Sequence, residues 1–194
     1  MIGIIDYGAG NLLSVKNALN YLGFESKYIR SADEFDSIEK LILPGVGSFG
    51  YCMTNIRQQD LEEPILEYIK LGKPFLGICI GMQLLFEKSE ESPGIDGMAV
   101  FEGKVRQFTK GKVPQIGWNN IQPTSDCNLE PGYTYFVNSY YADPDDEEIV
   151  CATANYHIDF PAAVGKDNVF ATQFHPEKSG DVGMNFLRSW LNAD

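Results

Sequence analysis

Cys79 stands between two glycines in the string GICIG, residues 77–81, which follows an apolar run and precedes a helix-like pattern. This is the spacing of the nucleophile elbow, G-x-S-x-G, with sulfur in place of oxygen, and the glycines prevent clashes in the sharp turn. The following helix would favour the thiolate, which is the attacking form, and the N–H of Ile80 would bind an oxyanion. The string predicts a nucleophilic Cys79, with a buried structural cysteine as the alternative.

A thiolate nucleophile needs an acid–base group that protonates the leaving group. The chain contains two histidines, His157 and His175. His175 follows the apolar run VFAT, and strand alternation would point Glu177 to the same side, where a carboxylate orients an imidazole and stabilises its charge. We therefore predict His175 and Glu177 as the partners of Cys79, and His157 as a surface or loop residue.

The string PGVG, residues 44–47, ends another apolar run. Glycine tolerates unusual backbone angles, so this loop can turn its amides toward a ligand. A loop at that strand end would supply a second oxyanion donor beside the elbow, whereas the alternative is a simple tight turn.

An α/β fold must position these residues. Apolar runs predict four strands, at residues 2–5, 26–29, 40–43 and 74–78. Helical spacing predicts a helix that begins at Leu12, with Asn11 as its N-cap, and a second helix over residues 62–71. This alternation predicts an open, mostly parallel sheet with helices on both faces. The strand C-termini then share one edge, where Cys79 and PGVG both lie.

The second half of the chain has short β-like runs separated by Gly, Pro, Asp and Asn, at residues 100–107, 116–121, 133–137, 149–152 and 169–173. We predict that they add antiparallel strands, so that the sheet is mixed. The chain ends in a helical pattern with one apolar face, made of Val182, Phe186, Leu187, Trp190 and Leu191. Without a repeat or a linker, residues 1–194 are predicted to form a single domain.

The composition argues against several function classes. A formal net charge of −12 argues against nucleic acid or an anionic membrane as a partner. No stretch reaches the roughly 20 apolar residues of a membrane span, so we expect a cytoplasmic protein. The four cysteines form no CxxC pair, so we expect neither a metal site nor a disulfide. The start DYGAGN lacks the third glycine of a dinucleotide fingerprint, which would fall at Leu13, so we expect no cofactor.

Together, the strings PGVGSF, GICIGMQLLF and FHPEKS resemble the class I glutamine amidotransferase family, and the resemblance covers essentially the whole chain. It implies a flavodoxin-like α/β fold. It also implies that Cys79 attacks the side-chain amide of glutamine and that His175, held by Glu177, delivers a proton to the departing ammonia. Water then releases glutamate from the thioester.

Within that family, longer strings resemble glutaminase subunits that serve a cyclase of histidine biosynthesis: IGIIDYGAGNLLSV, LPGVGSFG, GMQLLFEKSEE, YFVNSYYA and FATQFHPEKSG. The resemblance implies that Gln83 and Glu91 hold the amino-acid end of glutamine, with Glu91 facing its ammonium group. Backbone groups of Ser139 and Tyr140 would contact its carboxylate. The oxyanion hole would combine Ile80 with the loop segment of Val46 and Gly47 after a backbone rearrangement.

The partner implied by the resemblance is a cyclase with a (β/α)₈-barrel fold, which uses the ammonia to form imidazole glycerol phosphate. Asn11, Tyr135 and Lys178 match positions at or near the docking face. One position departs from the family, because Asn138 stands where the usual string YFVHSY has histidine. The substitution keeps a hydrogen-bonding side chain but removes a titratable ring.

Two alternatives remain at this point. The chain could serve another synthase, such as an anthranilate synthase or a nucleotide-sugar aminase, although the start DYGAGN and the string YFVNSYYA favour the histidine pathway. It could also be a catalytically silent binding subunit, and the intact Cys79, His175 and Glu177 argue against that.

Overall fold

A computed structural model describes residues 1–124, 127 and 129–193. Its described part contains twelve strands: Ile2–Ile5 (β1), Ser26–Ile29 (β2), Lys40–Gly45 (β3), Phe75–Cys79 (β4), Phe86–Ser89 (β5), Phe101–Gln107 (β6), Gln115–Pro123 (β7), Gly132–Asn138 (β8), Tyr140–Pro144 (β9), Val150–Asn155 (β10), Asp159–Lys166 (β11) and Val169–Thr172 (β12). The α-helices within the same residues are Leu12–Tyr21 (α1), Phe49–Gln58 (α2), Glu62–Lys70 (α3), Ile80–Gln83 (α4) and Gly180–Asn192 (α5).

Nine of these strands form one mixed sheet in the order β2-β1-β3-β4-β12-β11-β10-β7-β8. The pairs from β2 to β12 are parallel, and those from β12 to β8 are antiparallel. The remaining three form a small sheet in the order β5-β6-β9. The α/β class predicted from the sequence, with its mixed sheet flanked by helices, is therefore confirmed.

Each face of the large sheet has its own apolar core. On β3, Leu41 and Leu43 pack with side chains from α2 and α3, whereas Ile42 between them packs with α1 and α5. This division follows from the strand period of two, which sends successive side chains to opposite faces. Because both faces are covered, the central strands are apolar throughout, and the polar groups of the parallel strands converge only at their ends.

The direction of β12 differs from the prediction for residues 169–173. This strand is parallel to β4 rather than antiparallel, with Thr172 opposite Ile78. As a result, the chain leaves β12 at the same edge where β4 ends, and His175 arrives beside Cys79. The antiparallel strands begin only with the next neighbour, β11.

Two further predictions about the elements need correction. The run at residues 100–107 does not join the large sheet, because β6 pairs with β5 and β9 in the small sheet. Asn11 stands at the N-cap position of α1, as predicted, but its side chain makes no capping hydrogen bond. The side-chain oxygen of Asn11 accepts from the Ser14 hydroxyl, and its side-chain NH₂ group donates to Glu177. The Asn11 side chain is therefore used in contacts with other side chains.

Within the described ranges, no helix is long and apolar enough to cross a membrane.

Candidate active site

The turn from β4 into α4 presents Cys79 in a strained backbone conformation, with φ 56° and ψ −107°. A side chain at Gly77 would place its Cβ 2.8 Å from the carbonyl oxygen of Gly81. A Cβ at Gly81 would overlap the carbonyl oxygen of Leu43 on the neighbouring strand β3. The two glycines of GICIG are thus required by close backbone contacts, as the elbow pattern predicts.

The helix after the elbow is shorter than the sequence pattern predicts. α4 has only four residues, Ile80–Gln83, and β5 begins at Phe86. A single turn sums few peptide dipoles, so the predicted macrodipole support for a Cys79 thiolate is small. Local hydrogen-bond donors must supply most of that support.

His175 and Glu177 form a buried pair next to the elbow. The Nδ1 atom of His175 lies 2.9 Å from Oε1 of Glu177, and the two side chains are 3% and 1% exposed. The pairing is made by a 3₁₀ turn, Pro176–Lys178, and not by the strand alternation that the sequence suggested. The side-chain amide of Asn11 also donates to Oε1 of Glu177, at 3.2 Å, so two groups hold the same carboxylate oxygen.

Opposing effects act on the imidazole. Burial lowers the pKa of His175, but interaction with a charged Cys79 sulfur and the hydrogen bond with Glu177 outweigh it and raise the pKa to about 10. These interactions therefore favour a protonated imidazole, with Glu177 holding the ring by Nδ1 and leaving Nε2 for chemistry.

Cys79 and His175 line a cavity of about 280 Å³, whereas Glu177 lies behind the imidazole outside its lining. The lining includes the predicted nucleophile and its base, the predicted oxyanion residues and all four predicted substrate-binding residues: Cys79, His175, Val46, Gly47, Ile80, Gln83, Glu91, Ser139 and Tyr140. Pro114, Val137, Asn138 and Lys178 complete the wall. The structure therefore brings together residues from five separate parts of the chain.

On the acidic side of the cavity, Glu91 is anchored through its Oε2 atom, which accepts the backbone N–H of Phe49 at 2.6 Å. Gln83 is anchored by its amide, which donates to the carbonyl of Tyr140 at 3.1 Å. The oxygen of the same amide, Oε1 of Gln83, is buried without a hydrogen-bond partner among the described residues. A carboxylate and a free acceptor oxygen suit an ammonium group with its N–H donors.

The predicted oxyanion loop lies across from the elbow. Gly45 is paired in register with Cys79, and the loop continues into Val46, which is 41% exposed. Gly47 has φ +119°, a conformation that favours glycine. The loop is therefore held at β3 and is more open beyond it.

The predicted docking residues surround the same site. Lys178 lines the cavity, and Asn11 reaches the catalytic carboxylate as described above. The carbonyl oxygen of Tyr135 accepts the backbone N–H of His175 at 3.0 Å, and the Tyr135 ring contacts Trp118 edge to face. All three thus lie next to the loop that carries the histidine.

Two buried residues of the site were missed from the sequence. The Ser179 hydroxyl donates to the His175 carbonyl at 2.6 Å and accepts the N–H of Tyr135 at 2.9 Å, which ties the histidine loop to β8. Gln173 places its amide 3.7 Å from the Cys79 sulfur. Its position two residues before His175 in the string QFH was a usable signal, because side chains at i and i+2 of an extended segment share a face.

Other chemistry-bearing residues lie elsewhere. His157 is exposed in a bend and contacts the Tyr156 ring edge to face, in agreement with its prediction as a loop residue. All four cysteines are free. Residues 1–124, 127 and 129–193 contain no group of three or more His, Cys, Asp or Glu side chains that could hold a metal ion.

The chain matches the family model described as glutamine amidotransferase class-I over residues 3–192. It is 46% identical to an imidazole glycerol phosphate synthase subunit HisH of Caldanaerobacter subterraneus subsp. tengcongensis, covering 98% of this chain and 97% of the relative. A HisH subunit of Desulfitobacterium hafniense is 44% identical, covering 100% and 96% of the two chains.

The fold has matches among solved structures as well. A crystal structure described as a glutamine amidotransferase superposes with a TM-score of 0.81, at 22% identity and covering 98% of this chain and 96% of the other. At that identity the match supports the fold, and the family rests on the sequence matches over nearly the full length. The chain therefore belongs to the class I glutamine amidotransferase family, within the group of imidazole glycerol phosphate synthase subunits HisH.

Proposed function

We propose that this chain is the glutaminase subunit of an imidazole glycerol phosphate synthase, and that it hydrolyses glutamine to glutamate and ammonia for a cyclase subunit. One observation carries the proposal: an elbow cysteine and a histidine held by a buried glutamate line one cavity with the acceptors that an amino acid requires. The relatives named HisH support the choice of synthase over the anthranilate or nucleotide-sugar alternatives.

In the first chemical step, the Cys79 sulfur attacks the side-chain amide carbon of glutamine and a C–S bond forms. The carbonyl oxygen becomes an oxyanion, which the N–H of Ile80 and the loop segment of Val46 and Gly47 stabilise. Because the elbow fixes the Cys79 sulfur at the C-terminal end of β4, the attack needs no movement of the nucleophile.

The protonated His175 then gives its Nε2 proton to the amide nitrogen, and the C–N bond breaks with release of ammonia. Glu177 keeps the ring oriented and stabilises its charge while the proton is present. The neutral ring next removes a proton from water, which attacks the thioester. Glutamate leaves, and the thiolate–imidazolium pair is restored.

Glutamine is held by the opposite end of the cavity. The Glu91 carboxylate faces the substrate ammonium group, and the free Oε1 atom of Gln83 accepts one of its N–H bonds. Backbone groups of Ser139 and Tyr140 bind the substrate carboxylate. The 280 Å³ of the cavity is sufficient for one small amino acid.

The ammonia passes to a cyclase of (β/α)₈-barrel fold, which forms a heterodimer with this chain through the face that carries Asn11, Tyr135 and Lys178. Exposed aromatic side chains on that side, Trp118 and Tyr133, are typical of interfaces. The chain works as one glutamine amidotransferase domain and requires no metal or organic cofactor. A free catalytic thiol fits a reducing compartment, so we place the reaction in the cytoplasm.

The test is glutamate release from glutamine by the chain alone and with its cyclase and the cyclase's nucleotide ligand. Cys79→Ala should reduce glutamate release by about 10⁴-fold or more, because no other group replaces the nucleophile. Cyclisation driven by added ammonium salt should persist in the complex. Cys151→Ala is the control, since this cysteine lies on β10 outside the cavity lining. Glutamate release by Cys79→Ala at the wild-type rate would refute the proposal.

A further inference from the structure

We infer that Gln173 is a positioning residue of this site: its side-chain amide donates to the Cys79 sulfur and fixes the side-chain amide of Gln83, a residue that lines the cavity. The inference deepens the proposed glutaminase function and rests on it. Nothing in the motifs that identify the family assigns a role to Gln173. A series of hydrogen bonds between buried side chains links Gln173 to both ends of the site.

Gln173 lies one residue beyond β12 and is completely buried. Its backbone N–H donates to the Ala162 carbonyl of β11 at 2.8 Å, so its position is fixed by the sheet. Its Nε2 atom lies 3.7 Å from the Cys79 sulfur, and its Oε1 atom lies 2.9 Å from Nε2 of Gln83. A buried amide is costly unless its groups are paired, and here both ends have partners within the site.

The donor and acceptor of each hydrogen bond in this series follow from one group. The carbonyl oxygen of Tyr140 can only accept, so the Gln83 atom that lies 3.1 Å away must be its NH₂ group. That same NH₂ group faces Gln173, so Gln173 must present its oxygen there. The NH₂ group of Gln173 is therefore the end that points at the sulfur, independently of how either amide was assigned.

This orientation has an effect on the nucleophile. A protonated Cys79 thiol can donate to the carbonyl of Val137, 3.9 Å away, but a thiolate gains nothing from that acceptor. A thiolate does gain from the N–H of Gln173, because hydrogen bonds to a charged acceptor are stronger than neutral ones. Since α4 is a single turn with little dipole, Gln173 supplies a donor that the helix does not.

It also has an effect on the substrate side. With both hydrogens of its NH₂ group bound by Gln173 and Tyr140, Gln83 keeps only its buried oxygen without a hydrogen-bond partner among the described residues, in a side chain that lines the cavity. Without Gln173, one of the two bonds that prevent rotation of the Gln83 amide is lost. The same residue thus serves the thiolate at one end of the cavity and the ammonium site at the other.

The test uses Gln173→Met, which keeps the length and volume of the side chain but removes both hydrogen-bonding groups. Alkylation of Cys79 by iodoacetamide at pH 7, followed by mass spectrometry of the Cys79 peptide, should slow by about tenfold, which is the worth of one hydrogen bond to a charged group. In the complex with the cyclase, KM for glutamine should rise by about fivefold to tenfold, since the Gln83 amide is no longer fixed.

Thr172→Val is the matched control. Thr172 is equally buried and adjacent in sequence, but its hydroxyl donates to the Phe174 carbonyl and touches neither Cys79 nor Gln83. It should lower stability without changing the alkylation rate or KM. If Gln173→Met alkylates at the rate of Thr172→Val, the inference is overturned.

A double-mutant cycle separates positioning from a general packing defect. Gln83→Met should slow alkylation of Cys79 in the wild-type background, because Gln173 loses the partner that orients it, and should add nothing in the Gln173→Met background. Additive effects would overturn the inference. If Gln173→Met does not fold, Gln83→Met alone decides, and an unchanged alkylation rate refutes the relay. Alkylation needs no turnover, so this failure is distinct from failure of the proposed function, which depends on glutamate release by Cys79→Ala.

Discussion

The two sides of the proposed oxyanion hole are built in different ways. On the elbow side, Gly77 and Gly81 are in such close contact with backbone atoms that neither position has space for a Cβ. On the loop side, the nearest atoms to a Cβ at Gly47 belong to side chains of Cys52 and Tyr51, both 3.9 Å away. The neighbouring Val46 is 41% exposed, whereas Ile80 on the elbow side is 5% exposed.

The loop, and not the elbow, is the part of the site that can change its conformation. Interlocked backbone has one arrangement, so the nucleophile is set by the fold itself. A loop with space around it can exchange between arrangements at low cost, so the second oxyanion donor is the element that a docking cyclase can reposition. In the proposed function, the elbow supplies the chemistry and the loop supplies its control.

The largest effect is expected at the elbow. Gly81→Ala lies in α4, where helix propensity alone would favour alanine by about 1 kcal/mol. The overlap with the Leu43 carbonyl should reverse that sign and lower the free energy of unfolding by about 3 kcal/mol or more, as measured by urea denaturation. Glutaminase activity should be lost with it.

Gly72→Ala is the control for this substitution. Gly72 has φ +75° but no atoms within 4 Å of a Cβ, so alanine there meets backbone strain without a clash. It should cost about 1–2 kcal/mol. If Gly81→Ala and Gly72→Ala lower the free energy of unfolding equally, the elbow is not interlocked with β3.

Gly47→Ala tests the loop side and should be milder. A φ of +119° at Gly47 costs a non-glycine residue about 1–3 kcal/mol. The loop can relieve this strain by moving, because among the described residues, chain neighbours aside, no atom lies closer than 3.9 Å to a Cβ at this position. We expect a loss of stability below that of Gly81→Ala and nearly unchanged alkylation of Cys79. Stimulation of glutamate release by the cyclase should fall severalfold, and full stimulation would show that the loop does not need this conformation.

The same contrast separates what the sequence could predict from what it could not. β1 to β4 and the elbow follow from short apolar runs and from glycine spacing, which are local signals. β5 and β11 gave no such signal, because FEKS is half charged and DFPAAVGK contains proline and glycine. Helix α2, FGYCMTNIRQ, was missed because its apolar face is diluted by glycine and polar residues.

The site was predictable to the extent that it lies in motifs. Cys79, His175 and Glu177 were identified from spacing, although the 3₁₀ turn that joins the last two was not. The parallel direction of β12, which brings His175 to the elbow, is set by pairing with β4 across almost a hundred residues. The string QFH indicates that Gln173 shares a face with His175, but the contact of Gln173 with the Cys79 sulfur exists only after that pairing has brought the two together.

The pKa of His175 should depend on the charge of the Cys79 sulfur at the elbow. In the folded chain the pKa of His175 is raised from 6.5 to about 10, so the stability contributed by its protonation is complete below pH 6.5 and is lost as pH rises through about 10. In Cys79→Ala the charge of the sulfur is absent while burial still acts, so the pKa of His175 should be lower and this loss should begin at lower pH.

NMR titration of the imidazole signals measures the pKa directly, with exposed His157 as a second signal in the same sample. Cys52→Ala is the matched control, because this cysteine contributes nothing to the cause of the His175 shift. An unchanged pKa of His175 in Cys79→Ala would mean that Glu177 alone holds the proton, and the elbow would lose its electrostatic role.

The smallest effects compare one aliphatic side chain from each side of the oxyanion hole. Ile80→Val removes one buried methylene and should cost about 0.5–1.5 kcal/mol of unfolding free energy. Val46→Ala removes two methyl groups from a residue that is 41% exposed, and should change stability by less than about 0.5 kcal/mol. The larger truncation thus has the smaller cost, because burial and not size decides it. Urea denaturation of both variants under one condition measures the difference, and a reversed order would show that the loop is packed as firmly as the elbow.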